Sequence, residues 1–143
     1  AVSTTPVREA LRRLEADRAV VSGANRTLTV PLLSAADLRE IRNIRLALEG
    51  LATEEAAALV SETELDALER LCAAMDAAAT SHDFDGYLQS NWRFHRVIYG
   101  ASRSDLLMAM IEGLWLRVGP FIRRRSPPAL RRTFGRRDRK SVG

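Results

Sequence analysis

Apolar residues recur at helical spacing along most of this chain, and the few places where that spacing fails divide it into elements. Val7, Ala10, Leu11 and Leu14 fall at i, i+3, i+4 and i+7, a single stripe predicted to be buried, while Arg8, Arg12 and Arg13 project elsewhere. Thr5 offers a capping hydroxyl, and Pro6 has the fixed φ and missing N–H that suit a first turn, so this helix is predicted to begin at Pro6. Residues 19–22 and 27–30 then read as two short strands around the turn-rich Gly23, Ala24, Asn25 and Arg26. Helical periodicity returns at Ser34, which with Asp37 has the spacing of a capping box. Leu38, Ile41, Ile44, Leu48 and Leu51 trace its apolar face. Ser61 and Glu64 mark a second box, followed by Leu65, Leu68, Leu71 or Cys72, and Met75. After a polar break at residues 80–83, a helix from about Asp83 to Ala101 carries Phe84, Tyr87, Leu88, Phe94 and Ile98. A last one holds Leu106, Leu107, Met110, Ile111, Leu114, Trp115 and Val118. It is apolar over so much of its circumference that it is expected to be buried or shared between subunits.

The fold class is therefore mainly α: a recognition helix plus β-wing, which is part of a winged helix-turn-helix, followed by an all-helical bundle. A capped helix N-terminus with guanidinium groups beside it suits contact with phosphates and base edges. At 143 residues and 46% hydrophobic, the chain can bury a core of ordinary size. It has no run of eighteen apolar residues and no charged-then-apolar leader, so neither a membrane span nor a secretory signal is expected, and a cytoplasmic location is. The lone Cys72 excludes an internal disulfide and a cysteine zinc cluster, and its helical phase predicts a core position.

The net charge of +4 conceals a division along the chain. Residues 1–30 carry five basic and three acidic side chains, residues 31–120 eight and fourteen, and residues 121–143 nine and one. The body is acidic and the high isoelectric point comes mostly from the tail, so overall basicity is no argument for nucleic-acid binding. No activated nucleophile, phosphate-cradling glycine loop or complete metal triad is visible, which argues against an enzyme.

Ser3, Thr5, Pro6, Val7, Arg8, Glu9, Ala10 and Leu11 form a Ser-x-Thr-Pro-Val-Arg-Glu-Ala-Leu pattern. Over residues 3–30 the chain resembles the second half of the winged helix-turn-helix of GntR-type transcription regulators. The resemblance implies that Ser3 and Thr5 approach operator phosphates and Arg8 phosphates or bases, with Arg12 on the same helix and Asn25 and Arg26 at the wing tip. Two positions depart from the pattern. Thr4 stands where an arginine usually reads guanine, and a threonine cannot make a bidentate contact to O6 and N7. Thr27 stands where the wing usually has glycine. Nothing upstream of Ala1 in this sequence supplies the helices on which a recognition helix packs, so the head is expected to be truncated.

Residues 34–120 resemble the FCD effector-binding domain of FadR-like GntR regulators. The markers are Asp37 and Leu38, then Arg45, Leu48 and Glu49 in an Arg-x-x-Leu-Glu pattern, then Phe94, His95, Ile98, Ala101 and Ser102. In many FCD domains an aspartate and three histidines hold a divalent metal such as zinc, which in turn binds a small carboxylate effector. Here Asn91 stands for the aspartate and His95 for the first histidine, leaving the metal set incomplete. The residues alone equally permit His95 to be a packed histidine bonded to a neighbouring helix. Arg45 suits bidentate recognition of a carboxylate effector, although an ion pair with Glu49, one turn away, explains it as well.

The domains expected are thus a partial winged helix-turn-helix over 1–31, an FCD-like effector-binding and dimerisation domain over 34–120, and a basic tail over 121–143. The tail is expected to be disordered, either neutralising phosphates nonspecifically or serving as a solvated appendage. The function expected is a homodimeric regulator that binds duplex operator DNA and senses a small organic acid, away from any membrane. The alternative is an effector-binding or dimerisation module without operator affinity.

Overall fold

The helices of the body start where a side chain can satisfy the first unpaired amides, at Ser34, Ser61, Asp83 and Ser104. The computed structural model describes residues 4–23, 25 and 27–134. Its elements are α1 (Thr4–Ala16), β1 (Val21–Ser22), β2 (Leu28–Thr29), α2 (Ala35–Leu59), α3 (Glu62–Thr80), α4 (Phe84–Gly100) and α5 (Asp105–Phe134). Both predicted capping boxes form. Ser34 accepts from the Asp37 amide while the Asp37 carboxylate accepts from the Ser34 amide, and Ser61 and Glu64 do the same for α3. Asp83 caps α4 by accepting from the Gly86 amide at 2.9 Å.

α1 begins at Thr4, two residues ahead of the predicted start. Pro6 still lies in the first turn, where amides have no intrahelical acceptor, so its ring costs no hydrogen bond. The turn after Ala16 closes the helix with Arg18 in the left-handed region (φ 55), Arg18 N–H donating to Glu15 and Ala19 N–H to Leu14. His82 (φ 58) closes α3 in the same way, its amide donating to Ala79 and that of Asp83 to Ala78. The wing pairs antiparallel, Val21 with Thr29 and Ser22 with Leu28. It is shorter than predicted because the amides of Ala19 and Val20 are already given to Leu14 at the end of α1.

The stripe on α1 is not buried: Val7 is 49% exposed and Leu11 36%. Periodicity fixes which face of a helix seeks cover, but the body helices pack on one another instead. α3 lies along α4, and α2 packs against α4 and α5. Ala52, Tyr99, Leu107 and Ile111 form the core, with Leu48, Ile98, Met108 and Trp115 against them. On α2 the inward line is Ile41, Leu48, Ala52 and Ala56, whose small alanines let neighbouring helices approach. Ile44 and Leu51, predicted to face inward, are 42% and 47% exposed on one flank of that line. On the other flank lie Arg45 and Glu49, so the face turned inward includes a charged pair. Cys72 is likewise exposed rather than core. The inward line of α3 is Leu68, Leu71, Met75 and Ala78, and Cys72 sits about 100° round from Leu71.

α5 passes the predicted boundary at residue 120 and runs to Phe134, through Pro127 and Pro128. Apolar periodicity stops near residue 120, but the helix does not. A helical backbone needs no apolar stripe, and arginine, leucine and alanine between 123 and 132 are strong helix formers. Among the described residues, no helix is long and apolar enough to cross a membrane.

Candidate functional site

Two groups of polar side chains stand out, one on α1 and one inside the bundle. On α1, Thr5, Arg8 and Arg12 follow at spacings of three and four, which places them on one face within about 60° of arc, its centre about 120° round from the stripe of Val7, Leu11 and Leu14. All three are exposed. Arg8 and Arg12 have no ion pair among the described residues, whereas Arg13 is bonded to Glu9 at 2.9 Å. The wing is fastened to this helix by Ser22, whose hydroxyl donates to Glu15 at 2.6 Å. Gly23 N–H donates to Thr27 at 2.8 Å, and exposed Asn25 takes the left-handed turn at φ 62, which asparagine tolerates well. Ser3 and Arg26, the other two candidate DNA contacts, lie outside the described residues.

In the bundle, Glu49 of α2 is a hub. Its Oε1 accepts from Arg45 Nε at 2.7 Å and from the indole N–H of Trp115, 66 positions along the chain, at 2.9 Å. The Arg45 guanidinium also lies over the Trp115 ring, 4.6 Å from its centroid. The His95 ring also lies against that indole, 5.7 Å between centroids, and is stacked on Tyr99 and linked to its hydroxyl through Nδ1 at 3.1 Å. Burial pushes the His95 imidazole below its usual value. Glu49 opposes that shift and Arg45 adds to it, and the net result keeps the ring neutral at pH 7. Burial first, then the Glu49 carboxylate, push the Tyr99 phenol up, so it remains protonated. A second arginine flanks the site, Arg96, which is ion-paired with Glu112 at 3.2 Å and lies 5.1 Å from the centroid of Trp92.

His95, Tyr99 and Trp115 line, with Trp92, Arg96 and Glu112, a crevice of only about 10 Å³ to which Arg45 and Glu49 do not contribute, so a small acid enters it only if its walls move. A larger apolar crevice of about 190 Å³ separates the linker residues Val30, Pro31 and Leu32 from Pro120 and Phe121 of α5. It lies where the wing's chain joins the body.

The residues present do not fit a resident metal. Asn91, half-buried one turn before His95, offers a neutral carboxamide, and Tyr99 already occupies one nitrogen of His95. The carboxylate that acts on this histidine, Glu49, is bonded to Arg45 and Trp115. Among the described residues, no three His, Cys, Asp or Glu side chains gather as metal ligands. His82 is exposed at the α3–α4 corner.

A family model described as the FCD domain matches residues 40–139. The chain is 35% identical over 119 residues to the HTH-type transcriptional regulator McbR of Escherichia coli K12, an alignment covering 83% of this chain and 54% of that protein. Among solved structures, E. coli McbR/YncC matches with a TM-score of 0.83 at 33% identity, over 92% of this chain and 64% of that one. A GntR family member from Pseudomonas syringae pv. tomato matches with a TM-score of 0.52 at 28% identity, over 84% and 54%. The chain belongs to the FCD-containing GntR family. Another relative, the uncharacterized HTH-type regulator YdhC of Bacillus subtilis, is 31% identical over 112 residues, 78% of this GntR-family chain and 50% of YdhC. The chain thus spans about half the length of the curated relatives it matches.

Sequence reasoning singled out Arg45, Asn91 and His95 and passed over two neighbours, Trp115, which lies against both Arg45 and His95, and Tyr99, which is linked to His95. Tyr99 was legible as one turn beyond His95. Nothing in a linear pattern pairs Trp115 with a carboxylate on another helix.

Proposed function

We propose that this chain carries the operator-reading helix and wing of a DNA-binding transcription regulator, together with a helical domain that senses a small organic acid for it. One observation carries the reading: Thr5, Arg8 and Arg12 share an exposed face, the two arginines unneutralised, directly ahead of a paired wing. Arg8 and Arg12 would supply phosphate neutralisation and Thr5 and Asn25 hydrogen bonds, with Ser3 and Arg26 added from the family pattern. In the bundle, the Arg45 guanidinium would anchor the acid. For occupancy to alter DNA affinity, the acid must favour one placement of the heads over another. The crevice between residues 30–32 and α5 gives body and head a shared joint. A homodimer would present two heads to a palindromic site.

Fluorescence anisotropy with palindromic duplexes tests this. Binding is expected at about 50 mM salt and is expected to fall steeply by about 200 mM. Substituting both Arg8→Ala and Arg12→Ala is expected to flatten the salt dependence. Absence of binding at low salt, or binding indifferent to both substitutions, refutes the reading. The exposed apolar stripe of Val7 and Leu11 favours a second reading, a sensing or dimerisation module without operator affinity. That reading predicts carboxylate binding by calorimetry with no duplex binding.

A further inference from the structure

The donor set around His95 and the environment of Arg45 are two halves of one arrangement. A metal in such a pocket presents a positive charge to the oxygens of a carboxylate. Here the positive charge is already built into the chain. The Arg45 side chain is only 23% exposed and is held in three ways: by its own helix, by Glu49 on Nε, and by the indole face of Trp115. Glu49 takes only the Nε edge. The two Nη groups donate to no described residue, which leaves the end of the fork, the edge that meets a carboxylate bidentately, without a partner. Trp115 packs against both this guanidinium and the His95 ring, whose protonation burial disfavours. At His95 a neutral carboxamide stands in place of a carboxylate, and the carboxylate that acts on the ring, Glu49, is already bonded to Arg45 and Trp115.

We infer that the bundle binds its carboxylate ligand without a metal ion, with Arg45, pinned by Glu49 and Trp115, in the place of the cation. This rests on the proposal that the bundle senses a small acid, and the two can fail separately. The metal arm uses the unmodified chain: zinc alone is titrated calorimetrically after dialysis against EDTA, and the metal content of purified protein is measured. No stoichiometric zinc is expected. One zinc per chain, lost on His95→Ala, overturns the inference whatever acids do. The ligand arm titrates citrate and benzoate with EDTA present, then with zinc. Binding that survives EDTA and weakens tenfold or more in Arg45→Gln supports the inference. Arg45→Lys, which keeps the charge and loses the fork, is expected to recover only part of it. Binding that requires zinc overturns it, and so does EDTA-resistant binding that Arg45→Gln leaves unchanged. Binding of neither acid under either condition defeats the sensing proposal beneath it. Circular dichroism of each variant separates loss of the contact from loss of the fold.

Discussion

Replacing Trp115 with phenylalanine probes the join between α2 and α5 on which the bundle site depends. The substitution removes the N–H that donates to Glu49 at 2.9 Å and shrinks the ring face beneath Arg45. Glu49 is 18% exposed, so water replaces the lost donor poorly, but its bond from Arg45 survives and the carboxylate is not left unpaired. A hydrogen bond to a charged group contributes about 1.5–3 kcal/mol, and the surviving partner places this loss near the lower end. A phenyl face holds a guanidinium less well than an indole, adding about 0.5 kcal/mol. The total is about 2 kcal/mol, which with a urea slope of about 2 kcal/mol/M lowers the unfolding midpoint by about 1 M. The assay is urea denaturation followed by far-ultraviolet circular dichroism, since the substitution removes one of the two tryptophans. A cycle with Glu49→Gln should give a coupling of about 1 kcal/mol. A midpoint shift under about 0.3 M with no coupling refutes the claim that this bond joins the helices.

Arg103, at φ 59 between α4 and α5, grips Glu64 bidentately at 2.7 and 2.8 Å. With help from the Ser61 amide, that grip holds the Glu64 carboxyl at about 2, below its ordinary 4.5. A depressed folded value contributes stability that is fully present above pH 4.5 and lost as pH falls toward 2. Arg103→Met should flatten stability between pH 5 and pH 2, and urea midpoints at several pH values across that range check it. His82→Gly should stabilise the chain by about 0.5–1 kcal/mol in the same denaturation, because glycine meets no Cβ penalty at φ 58; a loss of stability would refute the assigned cap. Exposed Cys72 should react with a thiol reagent in the native state about as fast as in denaturant, and strong native protection would count against its placement.

Most of the fold was legible because its signals are local. The Ser34 and Ser61 boxes, the Arg45–Glu49 pair and the hairpin all lie within a few residues of sequence. The errors share one cause. Cys72, Ile44 and Leu51 sit at the margins of apolar stripes, where a small rotation of the helix decides between core and solvent, and only the neighbouring helix fixes that rotation. In the same way, the exposed face of Val7 and Leu11 was legible as apolar but not as uncovered.

The sequence by itself determined where α2 and α3 begin, that a short hairpin follows α1, and that arginines line one face of α1, since these follow from spacing along a single chain. The tertiary structure alone decided that Trp115 reaches back 66 positions to Glu49, that Tyr99 occupies His95, and that Arg45 turns inward with one edge unpartnered. A helix reports its own period, but contacts between helices depend on rotation and register, which only packing sets.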